Sequence, residues 1–101
     1  MRETSASTVR IDPAHPRRVA LTSEARRLAR RRAVALAVAA RCRRFAEEAI
    51  DPEPANAVAT RAMRRASGLH MRFHRTLDAL VDAGGFDDAI AIVRERQILA
   101  K

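Results

Sequence analysis

Cysteine is almost missing from this chain: Cys42 stands alone, which excludes a disulfide framework and a CxxC zinc site. There is no Trp, no Tyr and only three Phe, so the aromatic platforms that stack single-stranded bases are absent. Three Gly are too few and too scattered for a Gly-rich phosphate loop. No apolar run approaches the about 20 residues that span a bilayer; the longest is Ala33–Ala40. The N-terminus has no charged-then-apolar signal pattern, so the expectation is a cytoplasmic protein without a membrane partner. No paired acid and base and no metal-ligand set stands out. The expectation is a protein that is not an enzyme and needs no cofactor or metal.

What is present is alanine and arginine. Of 101 residues, 22 are Ala, and Arg supplies 19 of the 20 basic residues. A core rich in Ala buries little area per residue, so burial against a second copy is expected. The net charge of +8 is uneven. Arg17 to Arg44 holds ten Arg against the single acid Glu24. A field of that sign attracts phosphate polymers, and Arg forks match phosphate oxygens. A GC-rich genome also favours Arg and Ala, but it does not explain the clustering.

Residues 1–21 lack helical periodicity and carry two Pro and scattered charge. They read as a flexible basic arm with some extended structure near Val9 and Ile11. A first helix is predicted from Thr22 or Ser23, capped by a hydroxyl with Glu24 in its first turn, to about Ile50. Leu28, Ala35, Cys42 and Ala49 recur every seven residues, with Val38 and Phe45 between them, giving one apolar stripe. Arg31 interrupts that stripe. Asp51-Pro52-Glu53-Pro54 breaks the helix and caps a second one that folds back as a hairpin. The second helix carries Ala55, Ala59, Ala62, Ala66, Leu69, Phe73, Leu77 and Leu80 at alternating spacings of four and three and ends at Gly84-Gly85. Gly68 inside it marks a kink or a close helix approach. A third helix starts after Phe86 with Asp87 as its cap, and reaches nearly to Lys101. Its face is Ala89, Ile90, Val93 and Gln97, widened by Ile92 and Leu99. The fold class is all-α: a hairpin over 22–83, a short helix over 84–101, and self-association.

Several motifs have plain readings. His70 and His74 have a metal-ligand spacing, but no nearby ligand completes the set except Asp78, and the Arg field opposes a cation. They read as helix-surface histidines. Cys42 reads as a buried structural thiol. The segment Arg64–Leu69 resembles the turn of a helix-turn-helix. Arg64 and His74 fall where that motif needs small and apolar residues, so one continuous helix fits better. The first helix lacks the bulky anchors of an interfacial membrane helix.

The Arg faces carry the functional signal. Arg26, Arg30, Arg41 and Arg44 share one face of the first helix, with Arg27 and Arg31 beside it. Arg61, Arg65, Arg72 and Arg75 share one face of the second, and Arg17 and Arg18 stand in the arm. These are the candidate nucleic-acid contacts. With few Asn, Gln or Lys to read base edges, duplex backbone binding with weak sequence specificity is expected. Phe86, Ile90, Val93, Arg94 and Arg96 on the third helix are the candidate contacts for a protein partner.

The break Asp51-Pro52-Glu53-Pro54, the Arg faces and the tail Phe86–Lys101 together resemble, in layout, the oligomerisation core of small terminase subunits of tailed phages and gene transfer agents. That resemblance implies a ring-forming DNA packaging adaptor whose tail meets a large terminase. Residues 1–20 are too short for the helix-turn-helix domain usual in that family, so backbone contact is implied and site recognition is not. A Rop-like RNA-binding hairpin dimer shares the layout. A regulator that meets an acidic protein through the same Arg faces is a further alternative.

Overall fold

The computed structural model describes residues 12–99. The proposed extended segment at Val9 and Ile11, and the ends of the predicted arm and third helix, lie outside the described residues. Three helices follow one another: α1 (His15–Glu48), α2 (Glu53–Asp82) and α3 (Phe86–Leu99). The described residues contain no strand. At 1.5 Å per residue α1 is about 51 Å long and α2 about 45 Å, so the hairpin far outreaches α3 at about 21 Å.

α1 begins at His15, not at Thr22 or Ser23, so the arm predicted to end at residue 21 is helical over its last seven residues. Asp12 is the reason. Its carboxylate accepts from the Ala14 N–H at 2.9 Å, and its carbonyl accepts from His15 N–H at 2.9 Å. Pro16 adds a first-turn residue whose missing N–H costs nothing there. Arg18 then bonds Asp12 Oδ2 at 2.7 Å and donates to the Ala83 carbonyl at 3.0 Å. The start of α1 is thereby tied to the end of α2. These bonds hold the Asp12 carboxyl below its ordinary range, the Ala14 N–H first and Arg18 second.

The Asp-Pro-Glu-Pro break separates the two long helices as expected, but Pro52 and not Asp51 takes the cap position and α2 begins one residue later, at Glu53. Asp51 Oδ1 accepts from the Glu53 N–H at 3.1 Å, and α2 runs on without interruption through Gly68. Its far end is a Schellman motif. Gly84 N–H bonds the Val81 carbonyl at 2.9 Å, and Gly85 N–H bonds that of Leu80 at 2.8 Å. Gly84 takes φ 89°, and a Cβ on Gly85 would lie 2.5 Å from Leu80 Cδ1, so both positions need glycine. α3 starts at Phe86 itself, one residue before the expected cap, because Ala89 N–H already bonds the Gly85 carbonyl at 3.0 Å.

Packing divides the rod into two unequal ends. Where α3 lies on the hairpin, Ala25, Leu28, Ala29, Leu69, Phe73, Leu77, Leu80, Ala89 and Ile92 form one buried cluster, with Leu21 against it. Each large member contributes roughly 1.5–3 kcal/mol on burial. Beyond α3 the hairpin stands as two helices, and the buried residues there are Ala35, Ala39, Ala46, Ala59 and Ala66. The predicted single stripe on α1 is therefore corrected. The alanines turn toward α2, Cys42 and Ala49 are half-buried, and Val38 and Phe45 face solvent. Two alanine faces let the helix axes come close, and larger residues would hold them apart. On α3 the buried residues are Ala89 and Ile92, and Ile90 and Val93 lie at its exposed edge. No described helix is long and apolar enough to cross a membrane.

Candidate nucleic-acid interface

Arg65, Gly68, Arg72 and Arg75 follow one another at spacings of three and four, which places them on one stripe of α2. Across the seam, α1 contributes Arg31. Together with Leu69 and Met71 these residues line a groove of about 340 Å³. Gly68 sits in the middle of the stripe, and a Cβ added there would meet nothing within 4 Å. So Gly68 marks neither a close helix approach nor a break in α2; its missing side chain leaves a hollow between arginines. A second groove of about 320 Å³ continues along the same flank, lined by Arg30, Arg31, Val34, Ala35, Val38, Ala62 and Arg65. Arg31 and Arg65 belong to both.

No acid lines either groove. The nearest compensation is Glu24, whose Oε2 lies 3.6 Å from Arg72 Nη2, beyond hydrogen-bond length. The other oxygen of Glu24 already accepts two bonds from Arg27, at 2.9 and 2.6 Å. Four guanidiniums thus converge from two helices on one concave strip. Their forks suit phosphate oxygens, and their number suits a polyanion better than a single small acid.

Other predicted contacts are placed elsewhere. Arg26 makes a bidentate pair with Glu95, 3.0 Å for both bonds, on the far side of α1 against α3. That pair raises Arg26 and lowers Glu95 from their ordinary pKa values, the hydrogen bond being the main cause for each. Arg18 and Arg27 are likewise held within the chain. Arg17, Arg30, Arg41, Arg44 and Arg61 are exposed. Among the described residues they make no ion pair within 4.0 Å. Arg41 and Arg44 line neither groove and stand on the alanine-seamed half. Arg31, a candidate contact that in sequence also interrupts the apolar stripe, forms the α1 wall of the groove.

On α3, Phe86 and Arg94 are exposed, but Arg96 turns inward. Its guanidinium lies 5.0 Å from the Phe73 ring centroid, and Nη2 sits 3.0 Å from His70 Nδ1. Neutral His70 accepts there. Burial first, then Arg96, His74 and Arg32, push the His70 pKa down. The His70 and His74 rings meet edge to face at 4.5 Å, with a guanidinium on one of the nitrogens a metal would need. Among the described residues no three or more His, Cys, Asp or Glu are placed to hold a metal ion together.

Comparison with protein-family models, with curated proteins and with solved structures finds no match to this chain. The functional reading rests on the residues themselves.

Proposed function

We propose that this protein is a non-catalytic nucleic-acid-binding protein whose Arg groove takes the phosphate backbone of duplex DNA. The observation that carries the reading is the convergence of Arg31, Arg65, Arg72 and Arg75 on one groove that no acid lines. The two packed helices fix the backbone positions from which the four guanidiniums reach one groove, so their spacing is set before a polyanion binds. A duplex is favoured over a single strand because the groove has no aromatic to stack a base. Sequence is read weakly, since phosphate contacts fix position without reading base edges. A packaging adaptor for viral DNA is the more specific form of this reading. It adds a ring assembly and a motor partner, and is supported by the layout of hairpin, Arg faces and short last helix.

Protein purified after nuclease treatment and a high-salt wash is titrated against one labelled 30-base-pair duplex, a second of unrelated sequence, and a single strand of equal length. The expected result is similar affinity for the two duplexes and weaker binding of the single strand. Absence of binding to every nucleic acid at low salt, with a stoichiometric acidic protein retained from nuclease-treated lysate, overturns the reading in favour of a protein-binding regulator.

A further inference from the structure

We propose that residues 93–98 of α3 are a strap released by protons: they lie on the hairpin while His70 is neutral, and protonation of His70 frees them, with α1, α2 and the start of α3 left in place. The phosphate-binding reading plays no part in this, and the test contains no nucleic acid.

The first support is how little holds these turns. α3 buries Ala89 and Ile92, and none of residues 93–98 is buried. Two polar contacts tie them to the hairpin. The outer one is Glu95 with Arg26, whose side chains are 48% and 40% exposed, and exposed pairs of this kind hold weakly. The inner one is Arg96, which lies over the Phe73 ring at 5.0 Å and reaches His70 Nδ1 at 3.0 Å. Both His70 and Arg96 are half-buried.

The second support is the chemistry of the inner contact. Arginine has donors and no acceptor, so Nδ1 of His70 must carry no proton for this bond to form. A protonated ring has no acceptor left and sets a second positive charge against the guanidinium. The groups that face His70 from each helix add to that repulsion. From α1 comes Arg32, whose Nε is buried with no hydrogen-bond partner among the described residues. From α2 comes His74, its ring centroid 4.5 Å away, and from α3 Arg96 itself. The next carboxylate along α2 is Asp78, two turns and about 12 Å from His70, and Glu95 gives both oxygens to Arg26. Burial first, then these three cations, hold the docked His70 below its ordinary value.

The third support is that the response is local and has its own pH window. Freed of Arg96 and of cover, His70 returns toward its ordinary value of 6.5, so the released state binds the proton first. Docking is complete above about pH 6.5. Below it the ratio of docked to released strap falls by up to about tenfold per pH unit, until the docked His70 itself titrates. Glu95 is held below 4.5 by Arg26 and keeps its charge through this window. The cluster that joins α1, α2 and the start of α3 contains only apolar residues, so no proton acts inside it. Release uncovers the face of Phe73 that Arg96 covers.

The test places nitroxide labels at Ser67→Cys and Gln97→Cys, both exposed, in a Cys42→Ala background, and measures their separation by pulsed electron resonance at pH 7.5 and 5.5. The expected result is one short distance at pH 7.5 and a second, longer and broader population at pH 5.5. Adding His70→Gln, whose amide oxygen accepts from Arg96 and takes no proton, keeps the single distance at both. A control pair on the hairpin, Ala37→Cys with Arg64→Cys, also keeps its distance. A Ser67–Gln97 distance that ignores pH, a release that H70Q does not prevent, or a control pair that spreads in step overturns the proposal. Because labels can disturb packing, a second measurement titrates His70 by NMR in the unlabelled protein. It should titrate below 6.5, and Arg96→Ala should raise it; a wild-type value at or above 6.5, or no rise in R96A, overturns the proposal equally.

Discussion

Neutralising Arg65 should change how DNA affinity depends on salt, and by a calculable amount. Four guanidiniums line the groove: Arg31, Arg65, Arg72 and Arg75. If each releases one phosphate counterion, log K against log salt has a slope of about −3.6, and affinity falls about 150-fold between about 50 and 200 mM salt. Arg65→Ala lowers the slope to about −2.7 and the fall to about 40-fold; adding Arg75→Ala gives about −1.8 and about 12-fold. Arg26→Ala should leave the slope at the wild-type value, because that guanidinium is engaged by both oxygens of Glu95. Fluorescence anisotropy of a labelled duplex at four salt concentrations measures each slope. A double variant with the wild-type slope, or an Arg26 variant that loses as much as the Arg65 variant, refutes the assignment of phosphate contact to this groove.

Three other outcomes follow from the packing and charges. Phe73 is 1% exposed at the centre of the three-helix end, so Phe73→Ala should cost about 3–5 kcal/mol by urea denaturation, a large part of the stability of a domain this small. His70 is held below its ordinary value of 6.5 by burial and by Arg96. The unfolded chain therefore binds the proton first, and the His70 contribution is complete above about pH 6.5 and shrinks as pH falls below it. His70→Gln should flatten the change in urea midpoint between about pH 7 and 5, while the lowered Glu95 and Asp12 act only further down, below their ordinary values of 4.5 and 3.8. Amides of residues 35–46 and 57–66 should exchange with solvent faster than those of 25–29 and 73–80, because alanines alone hold the first set; uniform protection by mass spectrometry would contradict that division.

Much of the architecture is legible in the sequence because its punctuation is local. Asp51 and the two prolines fix the hairpin turn through bonds within a few residues, and Gly84-Gly85 closes α2 for the same kind of reason. The seam on α2 was also readable: Ala59, Ala66, Leu69, Phe73, Leu77 and Leu80 are its buried residues. What misled was α1. Its start depends on Asp12 bonding Ala14 and on Arg18 reaching Ala83, a contact across 65 residues that no window of sequence contains. In sequence its apolar residues form one stripe because Ala, Val and Phe all count as apolar, whereas the seam discriminates by size. Among the arginines, spacing gave the α2 face but not which members are already paired. Arg18, Arg26, Arg27 and Arg96 are engaged by partners on this chain, and two of these contacts, Arg26 with Glu95 and Arg96 with His70, join α3 to the hairpin.

The two ends of the rod differ in what they can do because they differ in side-chain size. At the end covered by α3, Phe73, Leu28, Leu80 and Ile92 exclude water and fix three helices, so the arginines of α2 above them stand on a rigid base. At the other end the alanine seam brings two helices together without filling any volume around them. Valine at 35 or 39 would bury more area, yet it would push the helices apart and lift Arg31 away from Arg65. Small residues in the seam therefore keep the α1 and α2 walls of the groove within reach of one polyanion, and they do so by leaving Val34, Val38 and Phe45 outside. Exposed valine and phenylalanine are the cost of the close hairpin, since the seam could bury side chains of that size only by widening.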